Sequence, residues 1–346
     1  MVPPGDQSRR AGDGVSGTQT IANRPLVCHV VKALRDAGAT EVAIVGDADD
    51  LIRVGRSFEL DGEDGSAITY LPHKGRSDLL GVLSTAAPFV GDDACMVHAA
   101  DGLAAESLEP FAEQLRLDSP DLILLLHRSA NKQDRLGPKM RQVLGISELN
   151  GGRTRLCLAG VCLVGPGALR QACLPVREST RELDLTDIAE RIATQGKHLE
   201  VGFLRTWRRY GGCPADLLEL NRIVLDQQLE SADSFDGHSD SRIEGRVVIH
   251  PTAEVTSSVI LGPSIIGART RVTNSYIGPY TSIGAGAEIE GAEIERSIVL
   301  DGARIMHVSG RIEGSTVGPR ANIFRDFNIP RALRLHVGEG VEVALN

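Results

Sequence analysis

IHPTAEVTSSVILGPSIIGARTRVTNSYIGPYTSIGAGAEIEGAEIERSIVL, residues 249–300, is the stretch whose spacing decides the C-terminal fold. Ile249, Ile266, Ile283, Leu300 and Val317 recur every 17 residues. A second register holds Val255, Val272, Ile289 and Met306, and a third holds Ile260, Ile277 and Ile294. Successive members lie 6, 5 and 6 residues apart, with Gly often following, as in IGARTR, IGPYTS and IGAGAE. Such a unit cannot bury its apolar residues alone, so coils must stack on one another. One apolar residue per short flat side and three sides per coil predict a triangular parallel β-helix over residues 246–346.

Upstream of it, QQLESADSFDGHSDSRIEG (227–245) is polar, acidic and Ser-rich, the composition of a linker. Residues 22–226 alternate helical and strand patterns. PLVCHVVKALRDAG carries apolar residues at helical spacing and ends on Gly38, a natural C-cap. EVAIVG, ITYL, ACMVHAA and DLILLLH read as strands, a helix is predicted over 78–87, and ADLLELNRIVLD closes the region at Asp226. Strands alternating with helices predict a doubly wound, mainly parallel α/β sheet. Residues 1–21, MVPPGDQSRRAGDGVSGTQTI, are polar and Gly-rich; they predict a disordered or truncated segment with no signal-peptide apolar region.

Composition narrows the function classes. The 346 residues are enough for two domains with cores, 42% are apolar, and the net charge is −9. That charge argues against nucleic acid or an anionic membrane surface as main partner. No apolar run approaches the roughly 18 residues of a membrane span. Cys28, Cys95, Cys157, Cys162, Cys173 and Cys213 form no CxxC pair and no zinc spacing, so buried free thiols and a cytoplasmic location are expected.

Several segments resemble the long, β-helix-bearing glucose-1-phosphate thymidylyltransferases, from about Ala22 to the C-terminus. ANRPLVCHVVKALRDAGATEVAIV resembles that family's Asn-Lys-Pro-Leu helix and following strand. LAGVCLVGPGAL resembles its sugar-lining Gly-Val-Tyr strand, and ELDLTDIAERIATQG its Glu-Ile-Thr-Asp segment. WRRYGGCPADLLELNRIVLD resembles the Trp-containing loop and exit helix; SYIGPYTSIG and EIERSIVLDGARI resemble its coils. The resemblance implies a Rossmann-like nucleotidyltransferase domain lacking its first strand, followed by a β-helix that is left-handed, as in hexapeptide-repeat proteins. In hexapeptide acyltransferases a histidine between coils deprotonates the acceptor. His250 and His307 are the coil histidines here, neither in such a context, so the coils read as a packing and oligomerisation module.

Fold does not confer function, and nucleotidyl transfer needs cations for the triphosphate, a carboxylate-bound Mg²⁺ and a cation for the sugar phosphate. Against the family's Gly-Gly-x-Gly-Thr-Arg loop and lysine, AGDGVSGTQTIANRP is a shortened loop in which the arginine and lysine have no counterparts. A mis-called start could remove a strand, but not account for the remaining losses. In ITYLPHKGRSDLLGVLSTA, His73 stands where a glutamine reads the base, Arg76 replaces a proline, Asp78 replaces a glycine and Gly81 a histidine. Asp101 matches the first Mg²⁺ carboxylate, whereas Tyr210 occupies the place of the second; Tyr is neutral at pH 7 and a poor Mg²⁺ ligand. The sugar-phosphate lysine is missing between Arg128 and Arg155, Lys132 and Lys139 lying in unrelated contexts. Gly160, Val161 and Asp184 match sugar-binding positions, although Thr186 and Asp187 can equally cap a helix.

These substitutions point to a chain that does not make sugar nucleotides and requires no cofactor, Mg²⁺ being needed only for residual transfer. Its expected partners are a sugar or small metabolite, further copies of itself, or an active paralogue. One alternative keeps it a transferase working through substituted residues. Another repurposes the cleft for acid–base chemistry by His73, Asp78, Asp101 and Tyr210. The Ala/Arg/Gly/Asp-rich usage is compatible with a bacterial secondary-metabolite pathway.

Overall fold

The computed structural model describes residues 16–61, 68–73, 79–129, 141, 155–169, 189–190, 192, 194–228 and 240–325. It divides into two compact units, Met1–Glu230 and Ser231–Asn346.

In the first unit the described residues begin at Ser16, inside the segment expected to be disordered or truncated. A 3₁₀ turn (Ser16–Thr18) leads into a hairpin of β1 (Thr20–Ile21) and β2 (Arg24–Pro25). Its corner, Ala22 and Asn23, has φ of 45° and 63°. The corner is held because the Ala22 N–H donates to Oδ1 of the fully buried Asn221 at 2.8 Å. A helix, α1 (Leu26–Asp36), then buries Leu26, Val27, Val30, Val31 and Leu34. It stops where predicted: Gly38 adopts φ 94° and the Ala39 N–H reaches back to the Leu34 carbonyl at 3.0 Å.

Then follow β3 (Val42–Gly46), α2 (Ala48–Asp61), β4 (Ile68–Pro72), α3 (Leu79–Val90), β5 (Cys95–His98), β6 (Gly102–Ala104) and α4 (Glu109–Asp118). The unit is completed by β7 (Leu122–Ser129), β8 (Arg155–Val164), β9 (Leu199–Leu204), β10 (Trp207–Arg209) and α5 (Pro214–Gln228). The main sheet runs β5-β8-β7-β9; β8 is antiparallel to both neighbours, so the sheet is mixed rather than mainly parallel. Leu122 to Leu126 are all 0% exposed because layers cover both faces. Leu122, Leu124 and Leu126 pack with Leu83 of α3, while Ile123 and Leu125 pack with Ala112 and Leu115 of α4. β3 pairs in parallel with β4 alone, and among the described residues no strand bridges β3 to β5.

The second unit is a parallel β-solenoid of three five-stranded sheets, one per side of the coil. Its first strand, Arg242–Glu244, pairs with Val259–Leu261, so the coil invades the expected linker, while α5 takes its beginning to Gln228. Ile243 lies one 17-residue period before Ile260, a register member hidden by its polar neighbours. Two members of the expected registers also move. Ile283 pairs with Val299, not Leu300, and Ile289 with Ile305, not Met306; Val299 and Ile305 are 0% exposed. The cause is the corner Glu295-Arg296-Ser297, which sets Ile294 and Val299 5 positions apart where Ile277 and Ile283 are 6 apart. Buried hydroxyls tie the corners: Ser258 Oγ accepts from the Ser275 N–H at 3.1 Å, and Ser275 Oγ from the Ala292 N–H at 3.2 Å.

Candidate functional site

Asp101 lies in the turn between β5 and β6, and β10 runs antiparallel to β6 with Arg209 opposite Gly102. That register fixes the chemistry. Arg209 Nε donates to Asp101 Oδ2 at 2.7 Å, and the Tyr210 backbone N–H donates to the Asp101 carbonyl, also at 2.7 Å. The other carboxylate oxygen, Asp101 Oδ1, is buried without a hydrogen-bond partner among the described residues. The loop after Tyr210 is secured from α5, where Asp216 Oδ2 accepts from the Gly211 N–H at 2.9 Å. Gly17, at the end of the Gly-rich leader, packs against Ala100, so an added Cβ would meet its carbonyl oxygen at 3.3 Å.

The strand end beside Asp101 is organised around Trp207. Its indole covers two glycines so closely that a Cβ on Gly102 would come within 2.5 Å of the ring, and one on Gly160 within 2.7 Å. Gly160 therefore has a packing role, and its carbonyl accepts from the Ala99 N–H at 2.7 Å. Val161 is fully buried among Leu163, Leu204 and Trp207, which leaves only its backbone for a ligand. His98 stacks at 5.3 Å from Trp207 in a tilted arrangement. With Nδ1 bonded to the Ala99 carbonyl at 2.7 Å, its Nε2 is an acceptor, buried and unpartnered. Burial lowers the His98 pKa to about 4, against the opposing pull of the Ala99 hydrogen bond.

This yields a pH prediction. A histidine held neutral in the fold contributes stability that is fully present above about pH 6.5 and is lost as pH falls towards 4. The loss amounts to up to about 3 kcal/mol. His98→Gln should flatten the acid limb of a melting-temperature profile; an unchanged limb would show that other groups cause it.

Of the expected cluster, the structure brings Asp101 and Tyr210 together, through the Tyr210 backbone. His73 is tied elsewhere: its Nδ1 bonds Thr85 Oγ1 of α3 at 2.8 Å. Asp78 and Asp184, like Arg76, Lys132, Lys139, Thr186 and Asp187, lie outside the described residues. Cys28, Cys157 and Cys162 are buried thiols as expected, but Cys213 is exposed. His250 is exposed and bonded to Thr252, and His307 lies 3.6 Å from Glu290. Sequence reading missed Arg209, although WRRYGG places it one residue before the substituted Tyr210.

The residues present do not suit a divalent cation. One Asp101 oxygen already faces a guanidinium, and among the described residues no group of three His, Cys, Asp or Glu side chains could hold a metal ion. No helix among the described residues is long and apolar enough to cross a membrane.

The first unit is a Rossmann-like α/β domain and the second a parallel β-solenoid. The chain is 33% identical over 328 residues to a glucose-1-phosphate thymidylyltransferase of Streptomyces griseus, covering 92% of this chain and 90% of that protein. A Streptomyces antibioticus protein of the same name is 28% identical, covering 94% and 92%. The low-salt glycan biosynthesis nucleotidyltransferase Agl11 of Haloferax volcanii is 29% identical, covering 94% and 92%. A Bacillus anthracis protein assigned as a glucose-1-phosphate thymidylyltransferase and crystallised with sucrose superposes with a TM-score of 0.52. At 17% identity over 64% of this chain and 89% of that one, it bears on the fold alone. No protein-family model matches. The chain belongs to the glucose-1-phosphate thymidylyltransferase family.

Proposed function

We propose that this member does not carry out Mg²⁺-dependent nucleotidyl transfer and serves instead as a binding or partner subunit in the cytoplasm. The observation that carries the reading is the 2.7 Å ion pair between Arg209 and Asp101. A guanidinium pairs with the carboxylate that the resemblance assigns to Mg²⁺, and a tyrosine follows where the second ligand belongs. His73 in place of the base-reading glutamine and the missing sugar-phosphate lysine support the same reading. A sugar or small metabolite, or an active paralogue, is the partner this reading implies. Transfer through substituted residues is the second reading, favoured by the packing of Gly17 against Ala100, which brings that glycine beside the Asp101 turn.

The test is nucleotide binding. Millimolar dTTP or UTP with Mg²⁺ is expected to leave the melting temperature unchanged. A ligand at 100 times its Kd stabilises by about 2.7 kcal/mol, so a saturable rise of several degrees would overturn the proposal.

A further inference from the structure

The main sheet of the first unit ends in an unprotected strand. β9 closes the order β5-β8-β7-β9, and among the described residues no strand lies beyond it. Its inner side is marked by the Leu122 N–H, which donates to the His198 carbonyl at 3.3 Å. Main-chain groups alternate along a strand, so Glu200, Gly202 and Leu204 face β7, whereas Leu199, Val201 and Phe203 present N–H and C=O groups outward. Edge strands are usually blunted by proline, lysine, a bulge or brevity. LEVGFL, 6 residues long, has no proline or lysine and pairs with β7 without a shift of register. Glu200, its one charged side chain, is engaged locally: it accepts from Gln114 Nε2 at 2.5 Å and lies 3.2 Å from His198 Nε2. Phe203 is 58% exposed, on the same face as the partly buried Leu199 and Val201.

We infer that β9 pairs antiparallel with β9 of a second copy of this chain, about a twofold axis at Val201, so that one sheet runs through a dimer. The sequence of the strand is complementary to itself in this register. Leu199 stands opposite Phe203 of the second copy, Val201 opposite its own counterpart, and Glu200 opposite Gly202, which has no side chain to meet it. Opposed apolar pairs stabilise a ladder and opposed like charges weaken it. An axis at Glu200 would set two carboxylates against each other, and one at Gly202 or Phe203 would set Leu199 or Val201 against Arg205. In the chosen register Lys197, which pairs with Asp121 at 3.4 Å, meets Arg205 only beyond the strand ends. Such an interface is isologous: the same patch serves both copies and the assembly closes at two. It does not depend on whether nucleotidyl transfer is lost.

Sedimentation velocity of the full chain is expected to show a concentration-dependent dimer. Phe203→Lys puts a charge on the edge, and Val201→Pro removes an outward N–H without touching the bonds to β7. Each is expected to raise the dimer dissociation constant roughly tenfold or more while circular dichroism stays that of the wild type. Ile52→Lys on α2, where the isoleucine is 54% exposed, is the matched control and is expected to leave the constant unchanged. Should Val201→Pro fail to fold, Phe203→Lys and hydrogen exchange decide: raising the concentration of the wild type is expected to slow exchange at Val201 and Phe203. A monomeric wild type would overturn the inference. So would a dimer that Phe203→Lys leaves intact, or one in which the Val201 and Phe203 amides exchange as fast as in the monomer.

Discussion

Ile283→Asp is expected to unfold the solenoid at temperatures where the wild type is intact, with a loss of about 3–5 kcal/mol. Ile283 is 0% exposed and stands in register between Ile266 of the coil before and Val299 of the coil after. A carboxylate there has aliphatic neighbours above and below and loses its hydration without gaining a partner. Glu288→Lys is the matched control. Glu288 lies outside, 38% exposed, with Arg304 at 2.9 Å and Arg271 at 3.9 Å. Exchanging it loses two surface ion pairs and brings like charges together, a cost of about 1 kcal/mol. Thermal melts followed by circular dichroism compare the two, and losses of equal size would mean that the inward and outward positions are misassigned.

The second large effect concerns catalysis. Tyr210→Asp, which restores the carboxylate implied by the family resemblance, is expected to yield no sugar nucleotide from glucose 1-phosphate and dTTP. Arg209→Ser combined with Tyr210→Asp is expected to yield none either. On the proposed reading three stabilising elements are still lacking: the loop arginine, the sugar-phosphate lysine and the glycine that the family resemblance puts where Asp78 stands. At about 3 kcal/mol each, their absence leaves turnover roughly a millionfold below that of an intact enzyme. Chromatography of product, with an active homologue as standard, decides the matter. Turnover by the wild type would refute the proposed loss of function. Turnover by either variant would show that phosphate-binding groups persist in segments with no recognisable motif.

The solenoid was legible because its side chains repeat at a fixed spacing, and spacing is what a sequence displays directly. Its errors have the same origin. Counting by 17 carries the register through Leu300 and Met306, whereas the shortened corner at Glu295-Arg296-Ser297 turns Val299 and Ile305 inward. Ile243 was missed because its polar neighbours look like linker, although it pairs with Ile260. At the site, Asp101 and Tyr210 were found by position in a resembling segment. Arg209 was not, because its partner is 108 residues away in sequence and only the β6–β10 register brings the two together. The antiparallel course of β8 was equally hidden, since an apolar run buried on both faces carries no mark of its direction.

The Arg209–Asp101 pair also bears on descent. Losing Arg209 alone would leave both Asp101 oxygens without a bonded cation, one of them already buried and unpartnered. Replacing Tyr210 by Asp alone would add a second carboxylate next to a guanidinium that already pairs with Asp101. Neither single step gives two carboxylates free of a bonded guanidinium, and only a joint change does. If the proposed loss of transfer is right, the pair acts as a ratchet: return to a metal-binding turn takes two coordinated replacements rather than one.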